Sequence, residues 1–291
     1  MIVLDFKIGF VCIVKIMNCP VCANVAIACA ETHPDCVLYR CTACSHKFSQ
    51  LKPGLMIEPY DAKYFEETHR NWFANPDEHL YGKIAKVIAQ ERNIQDIIDV
   101  GCGNGNLLRF LSAHTPPGVG LTGVDLMKNE STSRIAYIQS DIFSVEIEKR
   151  FSAVTTLGTI EHIDNVRAFA RRLKSLLRPN GLLVVMTVND DSLLYMAARF
   201  FRRIGFSKPF DRIYSHHHLN HFTRESLSRL LENENFRIES AVLHNVPLAS
   251  VDIPTTSAGA AFLQHFGVRV LFGLGWLMRR SYLQTVFCRA N

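Results

Sequence analysis

The chain has 291 residues, of which 48% are hydrophobic, a formal net charge of +5 and nine cysteines. That composition excludes a disordered chain, and the length holds one α/β domain of ordinary size plus a small accessory module. The mildly basic balance permits attraction to phosphate or to an anionic membrane without requiring either, and nine cysteines without a secretion signal point to a reducing, cytoplasmic compartment.

The first sixteen residues are apolar but contain Asp5 and Lys7. They are too short and too interrupted to span a membrane, and they have no basic start and no small-residue cleavage site. An extra edge strand and a true start at Met17 both remain open. Cys19-Pro-Val-Cys22 and Cys41-Thr-Ala-Cys44 follow, two C-x2-C pairs separated by 18 residues. Each pair puts two thiolates on one side of a tight loop, and two such knuckles complete a tetrahedral Zn2+ site of the zinc-ribbon kind. The expected ligands are Cys19, Cys22, Cys41 and Cys44. Four thiolates close the shell, so the site is structural, and His46 is not needed as a ligand. Tyr39 and Phe48 suit the aromatic packing of a ribbon hairpin. Cys12, Cys29, Cys36, Cys102 and Cys288 read as small hydrophobes.

Lys52-Pro-Gly54 is turn chemistry. Aromatics at Tyr60, Tyr64, Phe65, Trp72 and Phe73 precede a first core helix near 79–91. Trp72 and Phe73 serve equally well as pocket walls or as staples. Ile97-Ile98 then closes a buried strand, and Asp99-Val-Gly-Cys-Gly-Asn-Gly105 turns into a helix at Asn106. A glycine turn there lets backbone N–H groups approach a ligand. The pattern is G-x-G-x-G; the dinucleotide pattern G-x-G-x-x-G fails because residue 106 is Asn.

A second strand over 119–124 ends at Asp125, placed to accept ribose hydroxyls about 20 positions beyond the turn. A third over 135–139 ends at Ser140-Asp141-Ile142, and a fourth over 153–157 leads into Gly158-Thr-Ile-Glu161-His162. The helix carrying Val166, Phe169, Leu173 and Leu176-Leu177 reaches Arg178-Pro-Asn-Gly181, and a fifth strand spans 182–188. Ser215-His-His-His-Leu-Asn-His221 forms a loop ahead of a helix capped by Thr223, with Leu227, Leu230 and Leu231 as its stripe. Strands at 236–242 and 282–288 flank the apolar segment 258–280. That segment reads as an interfacial helix, a wall for a lipid-like acceptor, a dimer interface or plain core.

The order and spacing of these pieces resemble class I S-adenosylmethionine (SAM) methyltransferases. His218-Leu-x-x-Phe-Thr resembles a motif of those related to the ubiquinone-biosynthesis O-methyltransferases. The resemblance implies an α/β, Rossmann-like seven-stranded sheet with helices on both faces, its last strand antiparallel between strands five and six. It divides the chain into a segment with the ribbon (1–52), a linker with cofactor-covering helices (53–92) and the SAM-dependent domain (93–291). It implies cofactor contacts from Asp99, Gly101, Cys102, Gly103, Asn104 and Gly105, from Asp125 and Leu126, from Asp141 (facing adenine) and Ile142, and from Leu157 and Glu161.

Methyl transfer to a hydroxyl needs alignment and a base. His162, at the carboxyl edge of the sheet, and His218 are the expected catalytic pair, with His221 next in line. His162 reads alternatively as a residue packed on the cofactor. Some relatives hold a divalent metal with Glu-x-x-Glu-His plus a later His. Gly158 stands at the first Glu position here, so Glu161, His162 and His218 form only a depleted version of that set, and metal-free catalysis is expected. The expected acceptor is a hydroxyl of a small molecule, a sugar or a lipid-linked compound, with peripheral membrane contact through 258–280. A zinc-ribbon RNA methyltransferase is the alternative, against which the lack of a dense Lys/Arg stripe argues; a non-catalytic SAM-binding protein is a third reading.

Overall fold

The structure is a computed structural model that describes residues 17–55, 70–91, 94–214, 216–252 and 258–291. The readings of residues 1–16 and of the aromatics at 60–65 lie outside these. Three strands build the ribbon: β1 (Ile27–Thr32), β2 (Cys36–Cys41) and β3 (Lys47–Leu51), each antiparallel to the next. Cys36, Leu38 and Cys41 are buried along β2.

Helices α1 (Arg70–Ala74) and α2 (Glu78–Ala89) lead into the main sheet, and Asp77 caps α2 by accepting from the Leu80 N–H at 3.0 Å. Five buried residues form β4 (Asp96–Val100), an inner strand that runs into α3 (Asn106–His114). Then come β5 (Gly120–Asp125), β6 (Ile135–Gln139), β7 (Phe151–Leu157), α4 (Val166–Leu176) and β8 (Leu177–Val188). The rest comprises α5 (Leu193–Arg203), α6 (Lys208–Ile213), β9 (Asn220–His221), α7 (Arg224–Asn233), β10 (Phe236–His244), α8 (Ala258–Leu277) and β11 (Leu283–Ala290).

The large sheet has the order β10-β11-β8-β7-β4-β5-β6. β4, β5, β6, β7 and β8 are parallel, and β11 lies antiparallel between β8 and β10, as the resemblance implied. Successive side chains of a strand point to opposite faces, so two cores form. Ile97 joins α2 and α3 through Ile84, Ile88 and Leu111 on one face. Ile98 joins α4 and α7 through Phe169, Leu173, Leu227 and Leu230 on the other.

Three local features differ from the sequence reading. Leu177 leaves the helix and pairs with Phe151, so Arg178-Pro-Asn-Gly181 is a bulge inside β8, with Asn180 in the left-handed region at φ 59°. Two residues of the histidine loop form β9, which pairs with β3 and makes the ribbon sheet four-stranded. Segment 258–277 is one unbroken helix despite Gly267, Gly273 and Gly275. Among the described residues no helix is long and apolar enough to cross a membrane.

Candidate active site

A cavity of about 320 Å³ opens at the carboxyl end of β4, β5, β6 and β7. Asp99, Gly101, Cys102, Gly103, Asn104, Asp125, Leu126, Asp141, Ile142, Leu157 and Glu161 all line it. Gly105 does not. At φ 79° it stands at the N-cap of α3, where a side chain would land on the Tyr137 hydroxyl. Gly101 (φ 72°) and Gly103 (φ 52°) form the turn itself, and a Cβ at 103 would lie 2.8 Å from the Phe73 ring. Asp125 shapes that turn: one carboxylate oxygen accepts from the Gly103 N–H at 2.7 Å, and the other accepts from Met127 N–H at 2.8 Å. Each carboxylate oxygen has a second lone pair for a ligand hydroxyl. Burial raises the Asp125 pKa and lifts Asp99 to about 7, where Asp99 accepts from Thr155 Oγ1 at 2.7 Å.

This donor set fits SAM. Carboxylates stand at the ends of two adjacent strands, backbone N–H groups sit in a glycine turn, and Leu126 and Ile142 offer apolar contact to a base. Trp72 and Phe73 both stand at the cavity wall, and Phe73 also holds its segment in place. Their rings line the cavity, and the Phe73 carbonyl accepts from Asn106 Nδ2 at 2.8 Å, which holds the segment to α3. Several other lining residues carry no sequence signal: Asp77, Tyr81, Val246, Pro247, Ser250 and Tyr282. They arrive from α2 and from the segments beside β10 and β11, far from any motif.

His162 and His218 converge on the same cavity. Their rings meet edge to face at 4.9 Å between centroids. His162 Nδ1 lies 2.8 Å from the His217 carbonyl. A carbonyl only accepts, so Nδ1 carries the proton and Nε2 carries the lone pair. Glu161 is buried, accepts from Thr187 Oγ1 at 2.8 Å, and is lifted by burial from 4.5 to about 7. Ligand atoms of Glu161, His162 and His218 lie within 4.8 Å of one another, close enough to share a cation.

The other histidines of the loop do different work. His221 is buried beside the ribbon, 2.7 Å from Ser49 Oγ, and burial lowers it to about 3. It does not line the cavity. His216 faces Asp35 of the ribbon at 3.4 Å.

The four ribbon thiols cluster as the spacing required. Cys19 and Cys44 Sγ are 3.5 Å apart, Cys22 and Cys41 Sγ 3.6 Å, and all four lie within 4.8 Å. Sulfurs about 2.3 Å from a tetrahedral zinc stand roughly 3.8 Å apart, so the cage has the right size. Ala23 and Ser45 close the knuckles in matching left-handed turns, at φ 59° and 60°. His46 turns away from the thiols to Asn220 and Ser226.

A family model described as a methyltransferase domain matches residues 57–241, and the chain belongs to that family. The ubiquinone biosynthesis O-methyltransferase of Rickettsia felis is 26% identical over 162 residues, which cover 48% of this chain and 65% of that protein. The chain thus spans slightly less than two thirds of the length of that relative. Among solved structures, the 1,6-didemethyltoxoflavin-N1-methyltransferase of Burkholderia thailandensis has a TM-score of 0.52 at 14% identity, covering 85% of this chain and 96% of that one. Phosphoethanolamine N-methyltransferase 2 of Haemonchus contortus has a TM-score of 0.57 at 15% identity, covering 84% and 62%. Both likenesses show a shared fold.

Proposed function

We propose that the chain transfers a methyl group from SAM to a hydroxyl of a small-molecule acceptor, sugars and lipid-linked compounds included. The observation that carries this reading is the pairing of His162 and His218 on one cavity with the cofactor set, His162 having its tautomer fixed by the His217 carbonyl. When bound, SAM supplies a methyl group activated by its sulfonium. His162 Nε2 takes the proton of the acceptor hydroxyl, and His218 orients that hydroxyl or shares the charge. Trp72, Phe73 and Tyr282 wall the cavity and limit water. Glu161 ties this turn to β8 through Thr187. The ribbon thiols hold one structural Zn2+, and the cytoplasm is the compartment in which they stay reduced.

The test is incubation of the purified protein with methyl-labelled SAM and a small-molecule extract of cells lacking the gene. Label should enter a base-stable small product and disappear with His162→Ala. Label in RNA instead would favour the ribbon as a nucleic-acid grip. SAM binding with no transfer to either fraction would leave a SAM-binding protein without this activity.

A further inference from the structure

Helix α8 leaves an apolar surface open. Val268 and Leu271 are half-buried, and Phe272 and Gly275 are buried, so the stripe 268-271-272-275 faces the body. Gly275 permits this seat, because a Cβ there would meet the Arg280 carbonyl at 2.8 Å and Leu193 at 3.5 Å. The other positions look outward. Phe262 is 70% exposed, Leu263 68%, Phe266 58% and Trp276 70%, with Val270, Leu274 and Leu277 also exposed. From 258 to 267 no described side chain of the helix is buried, so its first half projects from the domain. Helix α5 and the turn after it, which pack beside α8, add exposed Phe200, Ile204 and Phe206. Monomeric soluble proteins rarely leave so many large apolar groups together in water.

Among the described residues, the unpaired charges on this surface have one sign. No Asp or Glu occurs between residues 192 and 210, or between 253 and 291. Arg203, Lys208, Arg269 and Arg279 are exposed, and among the described residues none of them pairs with a carboxylate. Two copies of this face brought together would set these unpaired cations against one another, because among the described residues the acids at its edge, Glu31 and Asp211, are already engaged by Arg202. An anionic lipid surface supplies what a second copy lacks: phosphates for the cations and acyl chains for the rings. Trp276 suits the boundary, since an indole is apolar in body with one polar N–H. The helix is not apolar and long enough to cross a bilayer, which leaves it in the plane of the interface.

We propose that α8, flanked by α5 and the 204–208 turn, docks the protein on an anionic lipid bilayer. Its root is tied to the cavity wall. Asn245 Nδ2 donates to the Phe272 carbonyl at 3.1 Å, Asn245 Oδ1 accepts from Tyr282 N–H at 2.9 Å, and the Phe272 and Tyr282 rings stack at 5.9 Å. Docking therefore occurs on an element that also supports Tyr282, a wall of the cavity. The proposal stands apart from methyl transfer, because lipid binding needs no turnover.

The test is flotation of the full chain with vesicles of phosphatidylcholine alone and of phosphatidylcholine mixed with phosphatidylglycerol. The protein should float with the anionic vesicles, and added salt should weaken the association. The triple variant Phe262→Ser, Leu263→Ser, Phe266→Ser should lose about a hundredfold or more in partitioning. Arg269→Glu with Arg279→Glu should lose about tenfold or more on anionic vesicles alone. These positions are exposed, so thermal unfolding and SAM titration should match the wild type, which separates a docking defect from a folding one. No flotation of the wild type, or flotation indifferent to both variants, would overturn the proposal. So would a dimer in sedimentation equilibrium that the triple variant dissolves while vesicles bind neither protein; the face would then join two copies.

Discussion

His46 Nε2 donates to Asn220 Oδ1 at 3.1 Å, across 174 residues of sequence. The bond ties the second thiol knuckle to the loop that carries His218. Asn220 passes the constraint on, because its Nδ2 donates to the Ile163 carbonyl at 2.7 Å, one residue past His162. The Leu219 N–H donates to the Glu161 carbonyl at 2.8 Å, while the Leu219 carbonyl accepts from the Ser49 N–H of β3, also at 2.8 Å. The histidine loop is thus clamped between the ribbon and the turn after β7. Burial lowers His46 to about 4, so it stays neutral and keeps this bonding across the working pH range.

Metal content and turnover should therefore move together. One zinc per chain is expected, and Cys41→Ser should release it and expose β1, β2 and β3 to hydrogen exchange. Because β3 carries β9, protection of residues 216–222 should fall too, and turnover with it. The glycine turn and Asp125 at the cofactor end of the cavity lie on strands of the other sheet, so SAM affinity should stay within about twofold. Loss of zinc with full turnover would show that the clamp is dispensable.

The glycine turn should tolerate no side chain at 103. A Cβ there meets Phe73 and must hold a left-handed φ, so Gly103→Val should weaken SAM binding by about tenfold or more while the β4–β5 core persists. Asp125→Ala removes the acceptor of the Gly103 N–H as well as the group expected on the ribose, and a loss of at least similar size should follow. Calorimetric titration of both variants checks this; unchanged affinity in both would remove the cofactor assignment.

Replacing either clustered imidazole should slow turnover and spare SAM binding. A general base contributes about 100- to 10,000-fold, and His162→Ala and His218→Ala should lose within that range. His216→Ala should be mild, since His216 faces Asp35 at the edge of the ribbon. Single-turnover rates beside SAM affinities separate the two effects. If both key variants lose little, alignment of the acceptor does the work without a protein base.

Glu161 makes stability depend on pH in an unusual direction for a carboxyl. Its pKa rises from 4.5 to about 7 on folding, so between these values the folded state holds the proton that the unfolded state has lost. Stability then falls as pH rises through that window. Glu161→Gln should remove this share of the decline, with a gain at pH 8 of up to about 3 kcal/mol. Denaturant unfolding of the two proteins from pH 5 to about pH 8 measures the difference. A divalent cation held by Glu161, His162 and His218 would keep the carboxylate ionised and reverse the advantage. Added Mg2+ or Mn2+ is expected to leave the wild-type curve in place.

Much of the fold is legible in local sequence patterns. Ile97-Ile98 ahead of a glycine turn reads as a buried strand because backbone hydrogen bonding and apolar burial are satisfied together there. Thr223 ahead of Leu227, Leu230 and Leu231 reads as a capped helix for equally local reasons, and the structure adds a capping box with Ser226. The bulge at 178–181 is half legible: Pro-Asn-Gly signals a turn, but the pairing of Leu177 with Phe151 depends on a neighbouring strand.

The sequence by itself determined the elements whose signal is local: the seven strands along the chain, the glycine turn, the two thiol knuckles, and the position of His162 after a strand; their order in the sheet was implied by the family resemblance. The resemblance at His218-Leu-x-x-Phe-Thr points to His218, but only the tertiary structure decided where its neighbours in the loop go. His216, His217, His218 and His221 carry the same chemistry in six residues, yet one faces Asp35, one holds His162 through its carbonyl, one enters the cavity and one is sealed against Ser49. Tertiary packing also decided that α8 keeps its first half in solvent. The physical reason is common to both. Strand and helix patterns arise from periodic burial along the chain, whereas the facing of a loop side chain is set by surfaces that distant segments bring to it, and those leave no period to read.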